Sequence, residues 1–424
     1  MNTVVFWFRR DLRFDDNTGL LAALRQDQPV LPIFIFDEQI NNELSPDDPR
    51  INFIYRSLKM LDEKLKKHGS GLLVLQGDPV EVWKELLEKQ PISKVYSNKD
   101  YEPYARERDK KVKDLLQEAS IDFLQFKDQV IFEEGEIVKD NNEPYHVFTP
   151  YKNKWLRKFS PVTSLEKINF EGFYKQIFSF PTLEELGFRH SDIKVKDFDL
   201  SHIAHYGTNR DFPSKQGSTH LGPHLRFGTV SIRKLVQEIK LSSDVLLSEL
   251  IWREFFMQIL FHYPRVVHQN FKSKYNGISW RNEQREFEKW CLGQTGYPMV
   301  DAGMRELNKT GCMHNRVRMI TAGFLCKHLL IDWQWGEAYF ASKLLDFELS
   351  SNNGNWQWAA GTGCDAAPYF RIFNPSEQLK KFDKELVYIR KWIPEYGTGD
   401  YPEPMVDHKY ARERALSTYK KGLE

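Results

Sequence analysis

The chain has 424 residues, which predicts two or three domains, and its 41% hydrophobic and 28% charged residues exclude a disordered protein. A net charge of +1 excludes whole-molecule attraction to nucleic acid, so such a partner has to be held by a local basic patch. No apolar run reaches the ~18 residues of a membrane span, and Arg9 and Arg10 follow Val4–Phe8 too soon for a secretory signal.

The protein is therefore expected in the cytoplasm, away from membranes. Cys291, Cys312, Cys326 and Cys364 are too scattered for a disulfide framework or a zinc site, so they read as reduced, and no metal is expected. Short apolar or β-branched runs recur at Val4–Phe8, Val30–Phe36, Leu72–Leu75, Val95–Tyr96 and Phe123–Phe126. Between them Ile51–His68 and Pro79–Lys89 carry apolar residues at helical spacing. That alternation predicts a Rossmann-like α/β domain with a parallel sheet over residues 1–130. It holds neither Gly-x-Gly-x-x-Gly nor Gly-x-x-x-x-Gly-Lys, so the sheet is a scaffold or the seat of an accessory ligand.

Residues 131–199, broken by Asn141, Asn142, Pro144, Pro150, Pro161 and Pro181, read as an interdomain connector. Beyond them, Ser218–Lys240, Asp244–Tyr263, Pro298–Asn308, Asn315–Leu330 and Glu337–Leu349 read as helices of an all-α domain over residues 200–424. Eight of the 11 tryptophans lie from Trp252 onward, so this part makes particular use of indoles.

In chain order, Arg210-Asp211-Phe212-Pro213 precedes Gly217–Gly222, where Ser218 or Thr219 opens a helix and offers either an ordinary cap or an anion site. Glu249, Trp252, Arg253 and Phe256 share one helical face, as a salt bridge beside a packed indole or as a wall for a planar polar ligand. Asn315 and Met319 stand one turn apart, with Arg316 and Arg318 on neighbouring faces. Asn352–Trp358, with four amides, a glycine and two indoles, is poor helix interior and reads as a ligand-facing turn or a cap. Pro368–Pro375 and then Gln378, Lys380 and Lys381 interleave aromatics with cations, suiting either nucleic-acid contact or a packed aromatic turn.

Together these segments resemble the photolyase/cryptochrome flavoproteins over nearly the whole chain, and most closely the class I cyclobutane pyrimidine dimer photolyases. The resemblance is carried by Trp7-Phe8-Arg9-Arg10-Asp11-Leu12-Arg13 with Asp16-Asn17, and by Tyr206 with Arg210–Pro213. It continues through Glu249-Leu250-Ile251-Trp252-Arg253-Glu254, Thr295–Pro298 with Val300-Asp301, and Asn352 through Pro375. It implies an N-terminal α/β antenna domain and a helical domain holding FAD, active as FADH−. Tyr206, Ser218, Thr219, His220, Leu221 and Gly222 would line the diphosphate and ribitol region. Arg253, Arg318, Asp346, Phe347 and Glu348 would complete the cofactor pocket, with Arg318 pairing with Asp346, and Asn352 would sit by flavin N5.

The resemblance further implies an electron-transfer chain of Trp356, Trp333 and Trp280, and a lesion pocket of Glu249, Trp252, Asn315, Met319 and Trp358. Arg210, Arg316, Arg371 and Gln378 match residues that contact DNA. Histidines replace Asn315 and Met319 in the (6-4) branch, and Tyr usually replaces Trp358 in DASH cryptochromes, so both subtypes are disfavoured. Gly222, Glu348, Ala105 and Val266-Val267 depart from the family pattern, although Glu102 and Glu107 flank Ala105. A second chromophore of folate or deazaflavin type fits the resemblance without being identified by it.

The implied activity is light-driven DNA repair, in which excited FADH− lends an electron to the dimer and recovers it. The partner is UV-damaged DNA, and a monomer with no obligate protein partner is expected. The alternative is a blue-light photoreceptor using the same FAD and Trp chain. Against it stand the complete lesion pocket and a chain that ends soon after His408–Tyr419; a flavin-binding relic is the third reading.

Overall fold

The computed structural model describes residues 2–161, 167–215 and 217–424. The chain forms two compact units. The first comprises Met1–Glu136, Lys158–Phe198 and His220–Leu241, and the second Ile137–Arg157, Asp199–Thr219 and Ser242–Glu424.

In the first unit all five expected strands are present: β1 (Thr3–Phe8), β2 (Val30–Asp37), β3 (Leu73–Gly77), β4 (Ile92–Asn98) and β5 (Asp122–Phe126). They pair in parallel in the order β3-β2-β1-β4-β5, with Trp7 in register with Ile33 and Ser97. Every residue of β1 and β2 is buried, which is why these strands are apolar on both faces instead of alternating. Val5, Trp7, Leu31 and Val95 pack under the helices Pro79–Lys89 and Pro103–Glu118 through Trp83, Leu86, Val112 and Leu116. Asp48 and Asp78 cap the helices Pro49–Lys66 and Pro79–Lys89, each with proline in the first turn.

The strand order reverses between β1 and β4, the usual crevice of an open α/β sheet. Here the chain fills it with its own polar groups: Arg9 pairs with Asp109, and Asn98 donates to buried Asp11 at 2.5 Å. Ser218–Lys240 is not one helix. It divides into Leu221–Arg226 and Ile232–Lys240, parted at Gly228, whose φ of +63° and close approach, 2.1 Å from a notional Cβ to the Arg10 carbonyl oxygen, exclude a side chain. Neither Ser218 nor Thr219 opens a helix; the first turn starts after His220, itself at φ +54°.

The described residues of the second unit contain helices and one isolated bridge, Val138 to Pro144, but no strand. The Asp244–His262 helix packs on Leu349–Ala360, which also meets Asn315–Gly323 and Trp333–Lys343. Three expectations are corrected here. The helix expected at Glu337–Leu349 runs from Trp333, behind an Asp332 cap, to Lys343, leaving Asp346, Phe347 and Glu348 outside it. The helix starting at Asn315 gives way to a π-helical turn, Phe324–Leu329, and stops at Leu330 with φ +51°.

The third correction is Asn352–Trp358, which is helix interior, not a turn, within Leu349–Ala360. Asn355 donates back to the Ser351 carbonyl of its own helix at 2.8 Å, but Asn353 and Gln357 have a tertiary partner, both donating to the Val266 carbonyl at 3.0 and 3.1 Å. Those two therefore do not compete with their own helix backbone. Gly354 is demanded by Phe256, whose ring lies 2.2 Å from where a Cβ would stand.

Candidate active site

Glu249, on the Asp244–His262 helix, accepts the Tyr206 hydroxyl at 2.5 Å and pairs with Arg210. Burial raises the Glu249 carboxyl pKa, while the Arg210 cation pulls it back; burial and the adjacent Glu249 both raise that of the Tyr206 phenol. Arg210 Nε lies 3.8 Å from Asp211 Oδ1, and the same oxygen meets Arg316 Nη2 at 2.7 Å. Arg316 in turn reaches Met319 Sδ at 3.9 Å and stacks over Phe382 at 4.4 Å. Five anticipated residues, Tyr206, Arg210, Glu249, Arg316 and Met319, are thus joined through Asp211. Tyr206, expected at the cofactor, turns its hydroxyl to Glu249, the acid anticipated for the lesion pocket.

Asn315 is exposed at the first turn of its helix, where the His314 ring nitrogen accepts the Arg316 backbone N–H at 3.2 Å. Burial and the surrounding arginines push His314 down to about 4, so it is a neutral acceptor at pH 7. Trp252 lies parallel to Phe148, ring centroids 3.8 Å apart. Phe148 is fixed by its backbone N–H, given to Asp365 Oδ2 at 2.9 Å. Trp358, on the neighbouring helix, is half-buried and has no ring partner among the described residues.

Arg253 pairs with Glu348 at 2.8 Å, and Arg318 pairs with Asp346 at 2.9 Å, as the resemblance implied. Phe347, between the two acids, is half-buried against the main helical core. Asn352 Nδ2 donates to the Glu337 carbonyl at 3.0 Å and to its Oε1 at 2.8 Å. Burial raises the Glu337 carboxyl pKa, favouring its protonated form. Two accepting carboxylates, two donating guanidiniums and an amide that does both fit the mixed N–H and carbonyl edge of a flavin. Exposed Ser218 and half-buried Thr219 lie in the loop preceding Leu221, and the Thr219 carbonyl accepts the Asp199 N–H at 2.9 Å. His220, Leu221 and Gly222 belong to the first unit, where they start the Leu221–Arg226 helix.

Trp356 and Trp333 are buried in one apolar cluster, and Trp280 packs against it. Trp333 Nε1 donates to Asn270 at 2.9 Å. Gly336 admits the Trp356 ring, 2.1 Å from a notional Cβ, and Trp280 stands edge-on to Tyr419 at 5.9 Å. None of the three indoles stacks on another. Arg371 is exposed with its guanidinium 5.6 Å over Phe373, next to Phe370, itself 61% exposed. Gln378 lies on the helix Pro375–Phe382 behind an Asn374 cap. In the first unit Glu102 is held by Arg226 and Arg10, at 2.7 and 3.0 Å, and Ala105 is buried in Pro103–Glu118. Among the described residues no group of three His, Cys, Asp or Glu is placed to hold a metal.

The sequence reading gave no role to Phe148, Asp211 or Glu337. Asp211 stands beside Arg210 in the sequence, but its pairing with Arg316, 105 residues on, leaves no local signal. Phe148 and Glu337 left no local signal, because stacking and amide pairing are set by which helices meet.

Residues 4–169 match the family model described as DNA photolyase, and residues 246–399 that of the FAD binding domain of DNA photolyase. The chain is 35% identical over 465 residues to a deoxyribodipyrimidine photo-lyase of Synechococcus sp., covering 98% of this chain and 96% of the relative. Its structure is similar to a bacterial class III photolyase from Agrobacterium tumefaciens, with a TM-score of 0.89 and 33% identity, covering 100% and 98% of the two chains. It is also similar to an archaeal photolyase from Sulfolobus tokodaii described with two FAD molecules, with a TM-score of 0.86 and 34% identity, covering 99% of each chain.

Proposed function

The chain belongs to the DNA photolyase family and its reaction is the light-driven splitting of cyclobutane pyrimidine dimers in DNA; from that premise we propose how its own residues perform it. The observation that carries the reading is the bonded chain Tyr206–Glu249–Arg210–Asp211–Arg316–Met319, which gathers the acid, the cations and the pocket lining from three separate segments.

Trp252 and Trp358 provide flat walls for an extruded dinucleotide, Trp252 offering one face because Phe148 covers the other. Asn315 and Met319 complete the lining. Glu249, steered by Tyr206, hydrogen-bonds the pyrimidines, and burial raises its carboxyl pKa against the pull of Arg210. Arg210, Arg316, Arg371 and Gln378 hold the backbone, which positions DNA without reading sequence, as a repair enzyme requires.

Ser218, Thr219, Arg253, Arg318, Asp346, Phe347, Glu348 and Asn352 would hold FAD. When bound in its reduced form it supplies the photoexcited electron that opens the two C–C bonds of the dimer and receives it back, leaving no net redox change. Glu337 orients Asn352, and Trp356, Trp333 and Trp280 form the route by which electrons enter from the surface. A second chromophore in the α/β antenna domain, residues 1–130, is supported by the two FAD molecules described for the Sulfolobus tokodaii protein. No helix among the described residues is long and apolar enough to cross a membrane, and the protein is read as a cytoplasmic monomer.

The test is to illuminate flavin-reduced protein with a dimer-containing oligonucleotide and follow thymine absorbance. Recovery is expected; photoreduction without recovery would favour the receptor reading.

A further inference from the structure

Arg210 and Arg316 reach the same carboxylate oxygen. Asp211 Oδ1 is 2.7 Å from Arg316 Nη2 and 3.8 Å from Arg210 Nε, and its side chain is 39% exposed while both guanidiniums are more enclosed. Asp211 is adjacent to Arg210 in the chain, so it cannot leave the neighbourhood of that cation when DNA arrives. Arg316 Nε is buried with no hydrogen-bond partner among the described residues, so the pairing with Asp211 leaves the guanidinium's donors incompletely used.

A phosphate and a carboxylate compete for a guanidinium through the same charge-assisted hydrogen bonds. A tethered carboxylate competes at high effective concentration, whatever the concentration of DNA. Arg210 is held chiefly by Glu249. We infer that Asp211 is an internal counter-ion that contends with DNA phosphate for Arg316, beside Arg210, and thereby speeds release of the repaired duplex. The inference rests on the reading of those two arginines as DNA contacts. While the dimer is extruded between Trp252 and Trp358, base contacts hold the complex and phosphates keep the arginines. Once the bases are restored and leave the pocket, only backbone contacts remain, and Asp211 reclaims Arg316.

The experiment compares the FAD-loaded protein with Asp211→Asn, Asp211→Glu, Arg316→Ala and, as a charge control on the separate helix Gln284–Leu292, Glu288→Gln. Asp211→Asn is expected to slow dissociation of repaired duplex about fivefold, the effect of an ion pair of this exposure, and to steepen the salt dependence of DNA affinity. Asp211→Glu should keep near-native release, and Glu288→Gln should leave it unchanged. Multiple-turnover repair should fall in Asp211→Asn while repair per flash of prebound substrate changes far less. Unchanged release in Asp211→Asn, with Arg316→Ala weakening DNA binding, overturns the inference alone. Full DNA affinity in Arg316→Ala overturns the reading beneath it. A flash yield falling as much as release would place Asp211 in the lesion pocket and also overturn the inference.

Discussion

Phe148 lies flat against the indole of Trp252, with ring centroids 3.8 Å apart and planes within 10° of parallel. The contact closes one face of Trp252, and Phe255 at 5.5 Å and Phe256 at 5.3 Å pack against the same indole, so its orientation is fixed. Phe148 is itself buried and meets Phe255 edge-on at 5.9 Å.

Phe148→Ala removes this backing and opens a cavity. It is expected to cost about 3 kcal/mol of folding stability and to weaken affinity for dimer-containing DNA more than for undamaged duplex. Urea unfolding and paired binding titrations check both, and Phe148→Tyr should restore lesion affinity. Equal weakening on the two DNAs would mean that Phe148 does not position Trp252.

Glu249→Ala is expected to lower the quantum yield of splitting while FAD stays bound. Tyr206→Phe removes only the hydroxyl that steers the acid, a hydrogen bond worth about 1–2 kcal/mol, and should move yield in the same direction by a smaller step. Flash repair assays with the flavin spectrum as loading control decide it. A native yield in Tyr206→Phe would detach the phenol from the work of Glu249.

Trp333→Phe keeps a buried aromatic ring, though a smaller one, and removes an easily oxidised indole and its bond to Asn270. Light-driven reduction of oxidised FAD should fall by an order of magnitude or more, while enzyme reduced chemically beforehand repairs at the native rate. Undiminished photoreduction would require another electron route.

His328 Nε2 and His408 Nδ1 are 2.8 Å apart, joining the π-helical turn to the His408–Lys421 helix. Burial, reinforced by His408 and Arg414, pushes His328 down to about 3; burial with Arg412, against Asp407, also lowers His408. In the unfolded chain such imidazoles protonate near pH 6.5. Native stability is therefore greatest above that pH and is lost as pH falls from about 6.5 toward 3, because the unfolded state takes up the protons. The His328 contribution at pH 5 is about 2 kcal/mol, and His328→Gln should flatten the urea midpoint between pH 5 and 7. A mutant with the native pH slope would assign that slope to other groups, such as His314.

How far the sequence reaches is clear from particular elements. The short apolar and β-branched runs located all five strands, because both faces of a parallel sheet demand continuous apolar residues. Asp211 is visible in the sequence beside Arg210, yet its partnership with Arg316, 105 residues on, is not. Local propensity misread Asn352–Trp358, since it counts four amides as helix breakers and has no knowledge of the Val266 carbonyl that satisfies two of them.

The sequence by itself determined the alternation of strand and helix, the helical C-terminal part and the residue types of the site, since these follow from short-range spacing and from ordered motifs. Only the tertiary structure decided which acid each arginine holds, that Tyr206 serves Glu249, and that Phe148 backs Trp252. Such pairings depend on which helix faces meet in the packed core, and burial then fixes protonation states that no local stretch of residues encodes.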